Sequence, residues 1–197
     1  MKVVFVLFSI LLLGGCGWLY QTGNNSSSEF DISAADMEVP DFQYVNQNEE
    51  AFGTEQLSGH YWLANMIFTN CPSVCPTMTP NMRNLQNAML DEGVDMKFVT
   101  FTIDPKRDTP ELLKAYGTNV GANFKYWNFI TGYTNEEIAT FAMETFKTTV
   151  QYIEEEDDFV HPTSFFLVDP GGKIIRKYDG LQSNQEGIIK DLKQTVQ

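Results

Sequence analysis

The sequence predicts an α/β domain with a mixed central sheet, helices on both faces and an N-terminal extension. Apolar runs of strand length alternate with helical stretches from residue 61 onward, and the series ends in two strands joined by a tight turn. The chain has 197 residues, 43% of them hydrophobic, which suits one domain with its own core. In such folds ligands gather at the carboxyl ends of the strands, so a functional site is expected there.

The elements follow from local pattern. Residues 61–68 form a nearly continuous apolar run that suits a buried strand, and residues 76–92 place methionines at helical spacing, as a core-facing helix does. After a second strand, Thr109-Pro110-Glu111 supplies a capping residue, a proline and an acid for the start of another helix. The remaining predictions are strands at 96–103, 127–130, 164–168 and 173–178, and helices at 135–146 and 184–196.

The first segment resembles an export signal with a lipid attachment point. Lys2 precedes an apolar run over residues 3–13, about 17 Å long as a helix, which is too short for a hydrocarbon core of ~30 Å. Leu13-Gly14-Gly15-Cys16 then resembles a bacterial lipobox, in which the cysteine is acylated and becomes the mature N-terminus. The alternative is an uncleaved signal anchor that extends through residues 18–20.

These features divide the chain into three parts. We expect a lipoprotein signal peptide at 1–15, a lipid-anchored flexible tether at 16–34 and the folded domain at 35–197. A stretch of Gln, Thr, Gly, Asn and Ser at 21–28 has the composition of a flexible linker. The domain would then lie at the extracytoplasmic face of the cell membrane, where neighbouring cysteines can be oxidised.

The negative net charge of the chain argues against nucleic acid as a partner. With 13 Lys+Arg against 26 Asp+Glu, the formal net charge is -13, so nucleic acid is not expected to bind. The acidic run at 154–158 is interpreted as a solvated loop or, alternatively, as a feature that makes the potential near the cleft more negative and favours cations.

Cys71 and Cys75 are the strongest chemical signal. They lie four residues apart, directly before a predicted helix whose N-terminus stabilises thiolate. The spacing allows a disulfide or a shared metal ion. The alternative is an inert structural disulfide between the two cysteines, which would take part in neither redox chemistry nor metal binding.

The chain has only two histidines. His60 lies at the far end of the first strand from Cys71, and we interpret it as a surface residue. His161 precedes a strand and is a candidate ligand. Two sulfurs and one nitrogen suit copper in either oxidation state, Cu(I) or Cu(II), with zinc as the competitor. Asp104 is a candidate outer partner or fourth ligand, or only a turn former before Pro105.

Three blocks in order resemble the Sco/SenC family of membrane-tethered, copper-binding, thioredoxin-like proteins. They are Phe68-Thr69-Asn70-Cys71-Pro72-Ser73-Val74-Cys75-Pro76, then Asp104-Pro105-Lys106-Arg107-Asp108-Thr109-Pro110, then His161. The resemblance implies that Cys71, Cys75 and His161 are copper ligands and that Asp104 is the family-motif acid near the site. It also implies a role in assembling cytochrome c oxidase, acting on the CuA centre of subunit II by copper delivery or by reduction of its cysteines.

Two further expectations remain. In thioredoxin-like folds a cis-proline often lies beside the cysteine pair, so we expect a cis bond between His161 and Pro162. The competing functions are an extracytoplasmic thiol-disulfide oxidoreductase or peroxiredoxin-like peroxidase without a metal, and a lipid-tethered binding domain with a structural disulfide.

Overall fold

A computed structural model describes residues 28–197. The predicted signal peptide at 1–15, the lipid attachment at Cys16 and the tether up to residue 27 lie outside these residues. In the described part of the chain, no helix is both long and apolar enough to cross a membrane. The strands are β1 (Gln43–Asn46), β2 (Ala51–Gly53), β3 (Trp62–Ile67), β4 (Lys97–Thr102), β5 (Trp127–Thr131), β6 (Gln151–Ile153), β7 (Asp158–Val160), β8 (Ser164–Val168) and β9 (Ile174–Asp179). The helices are α1 (Thr54–Leu57), α2 (Cys75–Asp91), α3 (Pro110–Val120), α4 (Asn135–Phe146) and α5 (Glu186–Val196), with a short 3-10 helix at Ser33–Ala35.

Seven strands form one mixed sheet in the order β2-β1-β5-β4-β3-β8-β9. The three central strands β5, β4 and β3 are parallel, and the strands beyond them on either side run antiparallel. Every residue of β3 is buried, as its continuous apolar run predicts. Strands β6 and β7 form a separate two-stranded sheet.

Helices cover both faces of the sheet. Thr100 of β4 and Phe129 of β5 are in register, so their side chains share a face, and Phe129 packs against Tyr116 of α3. Phe101 is the next residue of β4 and points to the opposite face, where its ring is 5.1 Å from that of Phe141 in α4. The predicted mixed sheet with helices on both faces is confirmed.

The elements predicted from pattern are present with ends shifted by a few residues. The methionines at helical spacing, Met78, Met82 and Met89, are fully buried, so that face of α2 is core. Thr109 caps α3 by accepting from the backbone N–H of Leu112. Strands β1, β2, β6 and β7 were not predicted, because they have only three or four residues each and carry too little apolar periodicity.

The described chain begins as an extension along the outer edge of β9. Backbone bridges pair Asp31 with Arg176 and Glu38 with Lys173, and the Phe30 ring lies 5.0 Å from that of Tyr178. Residues 28–34, which the sequence assigns to the tether, therefore lie against the domain. The extension covers the edge strand β9, which would otherwise expose unpaired backbone groups.

Candidate metal centre

The cysteine loop lies between the carboxyl end of β3 and the first turn of α2. The backbone N–H of Cys71 donates to the carbonyl of Phe68 over 3.2 Å, which closes the turn that leaves the strand. Cys75 is the first residue of α2. Cys71 is 8% exposed, Cys75 is 2% exposed, and both are free thiols. The loop thus holds the two cysteines at the end of the strand where the topology predicts a site.

The two thiols are electrostatically unequal. The Cys75 thiol donates to the Cys71 sulfur, and this hydrogen bond is the main reason that the pKa of Cys71 falls to about 3. His161 and the backbone N–H groups of Ser73 and Cys75 act in the same direction, the last over 3.4 Å from N–H to sulfur. The same bond, with burial, raises the pKa of the Cys75 thiol. Cys71 is therefore the thiolate of the pair and Cys75 the proton donor.

His161 follows the last residue of β7 and faces the cysteines. Its Nε2 atom is 4.0 Å from Cys75 Sγ, and its ring packs edge-on against Phe68 with centroids 6.0 Å apart. Its Nδ1 atom is 3.0 Å from the Pro162 carbonyl oxygen. Because a carbonyl only accepts, Nδ1 donates to it, and Nε2 is the ring nitrogen that faces the thiols.

The three donor atoms of Cys71, Cys75 and His161 lie within 4.8 Å of one another. Sulfur and nitrogen ligands around a bound zinc ion are about 3.5–4 Å apart, since the metal–ligand bonds are about 2.0–2.3 Å long. An approach of about 1 Å would close the cluster on a metal ion. Two thiolate sulfurs and one imidazole nitrogen form a soft donor set that fits copper or zinc.

The predicted cis bond between His161 and Pro162 is wrong, because the described residues contain no cis peptide bond. The trans form is the more stable one for an X–Pro bond by about 0.5–1 kcal/mol. Residues 161–163 connect β7 to β8, and the contact of Nδ1 with the Pro162 carbonyl is made with this bond in the trans form.

Asp104 lies outside the three-residue cluster. It is 4% exposed, and its carboxylate accepts from Arg107 Nε rather than facing the thiols unpaired. His60 precedes β3 at the end opposite the cysteines and is half-buried. The structure thus brings together three of the four candidate ligands and leaves Asp104 in an ion pair.

A buried carboxylate that the sequence did not single out supports the cysteine loop. Asp108 is 1% exposed and accepts from the backbone N–H of Thr69 over 3.1 Å and from the hydroxyls of Thr69 and Thr102. Burial raises the pKa of Asp108, against the effect of these hydrogen bonds. It therefore connects the loop two residues before Cys71 to the end of β4. Asp104 and Asp108, four residues apart after a strand, were the available sequence signal.

The acidic run at 154–158 forms the tip of the β6–β7 hairpin, and residues 154–157 are an exposed turn. Asp157 accepts from Arg107 Nη1 and from the Tyr152 hydroxyl, each over 2.8 Å, and these bonds lower its pKa. The run is thus a solvated turn with one member engaged in an ion pair.

Comparison with known proteins identifies the family. The sequence profile described as SCO1/SenC matches residues 31–197. The SCO1 protein homolog of Bacillus subtilis (strain 168) is 40% identical over 157 residues, which cover 79% of this chain and 81% of the relative.

Two solved structures are similar along most of the chain. A SCO1/SenC family lipoprotein from Bacillus anthracis str. Ames is 39% identical, with a TM-score of 0.78 and coverage of 82% of this chain and 96% of that chain. A member of the Sco family of cytochrome c oxidase assembly proteins, in which a disulfide switch was identified, is 40% identical, with a TM-score of 0.73 and coverage of 80% and 92%. By sequence and by fold, the chain therefore belongs to the SCO1/SenC family.

Proposed function

We propose that this protein binds copper through Cys71, Cys75 and His161 and is an assembly factor for the CuA site of cytochrome c oxidase. It acts as a copper chaperone, as a thiol-disulfide reductant of the target cysteines, or as both. The observation that supports this most is the convergence of the three donors within 4.8 Å of one another, from segments 86 residues apart in the chain. Membership of the SCO1/SenC family points to the same role.

Zinc is the competing metal. The described residues bring three donors together, which excludes a closed four-ligand zinc site among them, but an open zinc site also uses three protein ligands, so family membership is what favours copper. Cu(I) accepts low coordination numbers and prefers thiolate. A three-donor site also leaves the ion accessible to a receiving protein, as cargo requires.

Delivery and reduction use the same residues in different states. In delivery both thiolates and the His161 imidazole hold the ion until the target ligands replace them. In reduction the Cys71 thiolate attacks one sulfur of the target disulfide and releases the other as a thiolate. Cys75 then loses its proton and attacks Cys71 Sγ, which frees the second target thiol and leaves a Cys71–Cys75 disulfide. Two electrons pass to the target, and an external dithiol reductant must restore the pair.

The alternative function is an extracytoplasmic thiol-disulfide oxidoreductase or a peroxiredoxin-like peroxidase without a metal. One observation favours it: Cys71 is a thiolate next to a buried thiol that can resolve a mixed disulfide. His161 distinguishes the two functions, because a metal site needs its nitrogen and thiol exchange does not.

The proposal includes the location. Cys16 carries the lipid, the signal peptide at 1–15 is removed, and the domain stays on the extracytoplasmic face of the cell membrane. There it reaches the CuA domain of oxidase subunit II. The Bacillus anthracis relative is itself a lipoprotein.

A reconstituted transfer reaction tests the function. The reduced protein, copper-loaded or copper-free, is mixed with the soluble CuA domain of subunit II, prepared with its cysteines reduced or as a disulfide. The CuA absorption spectrum reports metal transfer, and thiol titration reports reduction.

We expect the loaded protein to form CuA in the reduced target, and the copper-free protein to reduce the disulfide target. The His161→Ala variant should lose the first activity and keep the second. If neither target changes with the wild-type protein, the assembly function is wrong. If only disulfides are reduced, and copper never binds, the oxidoreductase alternative holds.

A further inference from the structure

His161 depends for its position on a hairpin that is separate from the main sheet. Strands β6 and β7 pair only with each other, and His161 is the first residue after β7. Within residues 28–197, the hairpin makes no backbone hydrogen bond to another element. Side-chain contacts must therefore set how the hairpin, and with it the imidazole, lies against the cysteine loop.

An aromatic contact and an ion pair attach the hairpin to the body. Near its base, Phe159 packs against Phe68 with ring centroids 5.1 Å apart. At its tip, Arg107 Nη1 donates to Asp157 Oδ1 over 2.8 Å. Among the described residues, this is the only polar side-chain contact between the hairpin and the rest of the protein.

Arg107 is fixed on the side away from the hairpin. Its Nε donates to the carboxylate of Asp104, which is 4% exposed and follows β4. The guanidinium thus connects the carboxyl end of a central strand to the turn of the hairpin, and each carboxylate uses a different nitrogen. Tyr152 donates to the same Asp157 oxygen over 2.8 Å, so the acceptor is also oriented from within the hairpin.

We propose that Arg107 is a positioning residue for the metal centre: through Asp157 it holds the β6–β7 hairpin closed over the cysteine loop and keeps His161 Nε2 within reach of the ion. We call the Arg107–Asp157 ion pair the latch. This inference rests on the proposed function, because it assigns the latch a role in copper affinity. It predicts that opening the latch weakens copper binding only while His161 is present.

The test variants change Asp157, the residue that the hairpin contributes to the latch. Removing Arg107 would leave the buried Asp104 carboxylate without its partner, which would destabilise the fold and obscure any effect on the hairpin. The Asp157 side chain is 59% exposed, so its substitution removes the contact without opening the core. Asp157→Lys places a cation opposite Arg107 and repels the hairpin tip.

Glu155 provides the matched control. It lies two residues away on the same exposed turn, and within the described chain it has no ion pair. Glu155→Lys changes the net charge by the same amount as Asp157→Lys. Asp157→Glu, which keeps a carboxylate within reach of Arg107, is the conservative rescue.

Copper affinity is measured on the reduced proteins by competition with a chromogenic Cu(I) chelator. Asp157→Lys should weaken binding about tenfold, and Glu155→Lys and Asp157→Glu by less than about twofold. In the His161→Ala background, Asp157→Lys should cause no further loss, since the latch acts through that imidazole.

Hydrogen exchange of the metal-free proteins is an independent readout. The amides of β6 and β7 should exchange about tenfold faster in Asp157→Lys and at the wild-type rate in Glu155→Lys, while the amides of β3 and β4 stay unchanged. This result tests the latch even if the wild-type protein binds no copper, a finding that would overturn the proposed function instead. Two results would overturn the positioning role. One is an equal loss of copper affinity in Asp157→Lys and Glu155→Lys. The other is a loss from Asp157→Lys in the His161→Ala background as large as in the wild-type background.

Discussion

Cys71 and Cys75 have the same side chain and opposite protonation preferences. A hydrogen bond from the Cys75 thiol and the backbone N–H groups of Ser73 and Cys75 stabilise the Cys71 thiolate. The same hydrogen bond to Cys71, burial and the neighbouring negative charge keep Cys75 protonated. The residue types and the helix that follows could be read from the sequence. Which cysteine is the thiolate could not, because it depends on which sulfur accepts from the helix N-terminus.

The pH dependence of alkylation tests this asymmetry in the reduced, metal-free protein. The pKa of Cys71 is lowered to about 3, so Cys71 is already a thiolate between pH 5 and pH 8. Its rate with iodoacetamide should change by less than about twofold over that range. An ordinary thiol, with a pKa of about 8.5, gains about tenfold per pH unit. Mass spectrometry of quenched samples gives the rate at each cysteine, and a tenfold rise per unit at Cys71 would refute the assignment.

The two histidines give a matched pair of variants. His161→Ala removes a nitrogen that lies 4.0 Å from Cys75 Sγ, and copper affinity should fall by at least about 100-fold, because even the loss of an outer-shell partner costs 10–100-fold. His60→Ala, at the other end of β3, should leave the affinity unchanged. Competition for Cu(I) measures both, and equal affinity of the two variants would remove His161 from the ligand set.

At the level of elements, the site depends on how three loops meet. The cysteine loop, the Asp104–Asp108 turn and the segment that begins at His161 follow β3, β4 and β7, respectively. The first two were predictable, since both follow long apolar strands whose carboxyl ends meet at one edge of the sheet. The hairpin was not, because its strands have three residues each and enclose an acidic turn. The cis-proline expectation was wrong because it came from analogy with other thioredoxin-like proteins and not from any feature of this sequence. The ligand role of Asp104 stays a prediction.

Loss of Asp108 should loosen the cysteine loop. Asp108→Ala leaves the part-buried N–H and hydroxyl of Thr69 and the buried hydroxyl of Thr102 without their acceptor, and the free energy of unfolding should fall by about 2–4 kcal/mol. Asp95→Ala, at a side chain 65% exposed, should change it by less than about 0.5 kcal/mol. Urea unfolding of the reduced, metal-free proteins measures both. An unchanged Asp108→Ala protein would mean that the network does not support the loop.

The backbone beside the His161 segment is packed without room for a side chain at Gly180. A Cβ there would overlap the Thr163 carbonyl oxygen and lie 2.9 Å from the Phe165 ring. Gly180→Ala should lower the melting temperature through about 1–3 kcal/mol of overpacking. Gly187→Ala, whose nearest atom is 3.9 Å away on Phe30 and which lies in α5, should be neutral or stabilising by up to about 1 kcal/mol. Equal melting temperatures for the two variants would show that the chain at Thr163 can move freely.

At the scale of the whole molecule, one sheet supports both the N-terminal extension and the cysteine site. At its β9 edge, the segment from Ser28 to Val39 runs along the outer strand and brings in the chain from the proposed anchor. At the carboxyl end of β3 the thiols face His161, which lies between the separate β6–β7 hairpin and β8, the strand next to β3. The sequence indicated the anchor and the thiol site separately, the first from a lipobox and the second from a cysteine pair. Only the folded chain shows that His161 follows a separate hairpin whose turn forms an ion pair with Arg107.

Copper titration followed by absorption spectroscopy tests whether Cys71 and Cys75 bind copper together with His161. Cu(II) is added to the anaerobic, reduced protein and to the same protein oxidised to the Cys71–Cys75 disulfide. We expect thiolate-to-copper charge-transfer bands that saturate at one equivalent in the reduced protein and are absent from the oxidised one. Bands that survive oxidation or the loss of both cysteines, or a reduced protein that takes up no copper, would contradict it.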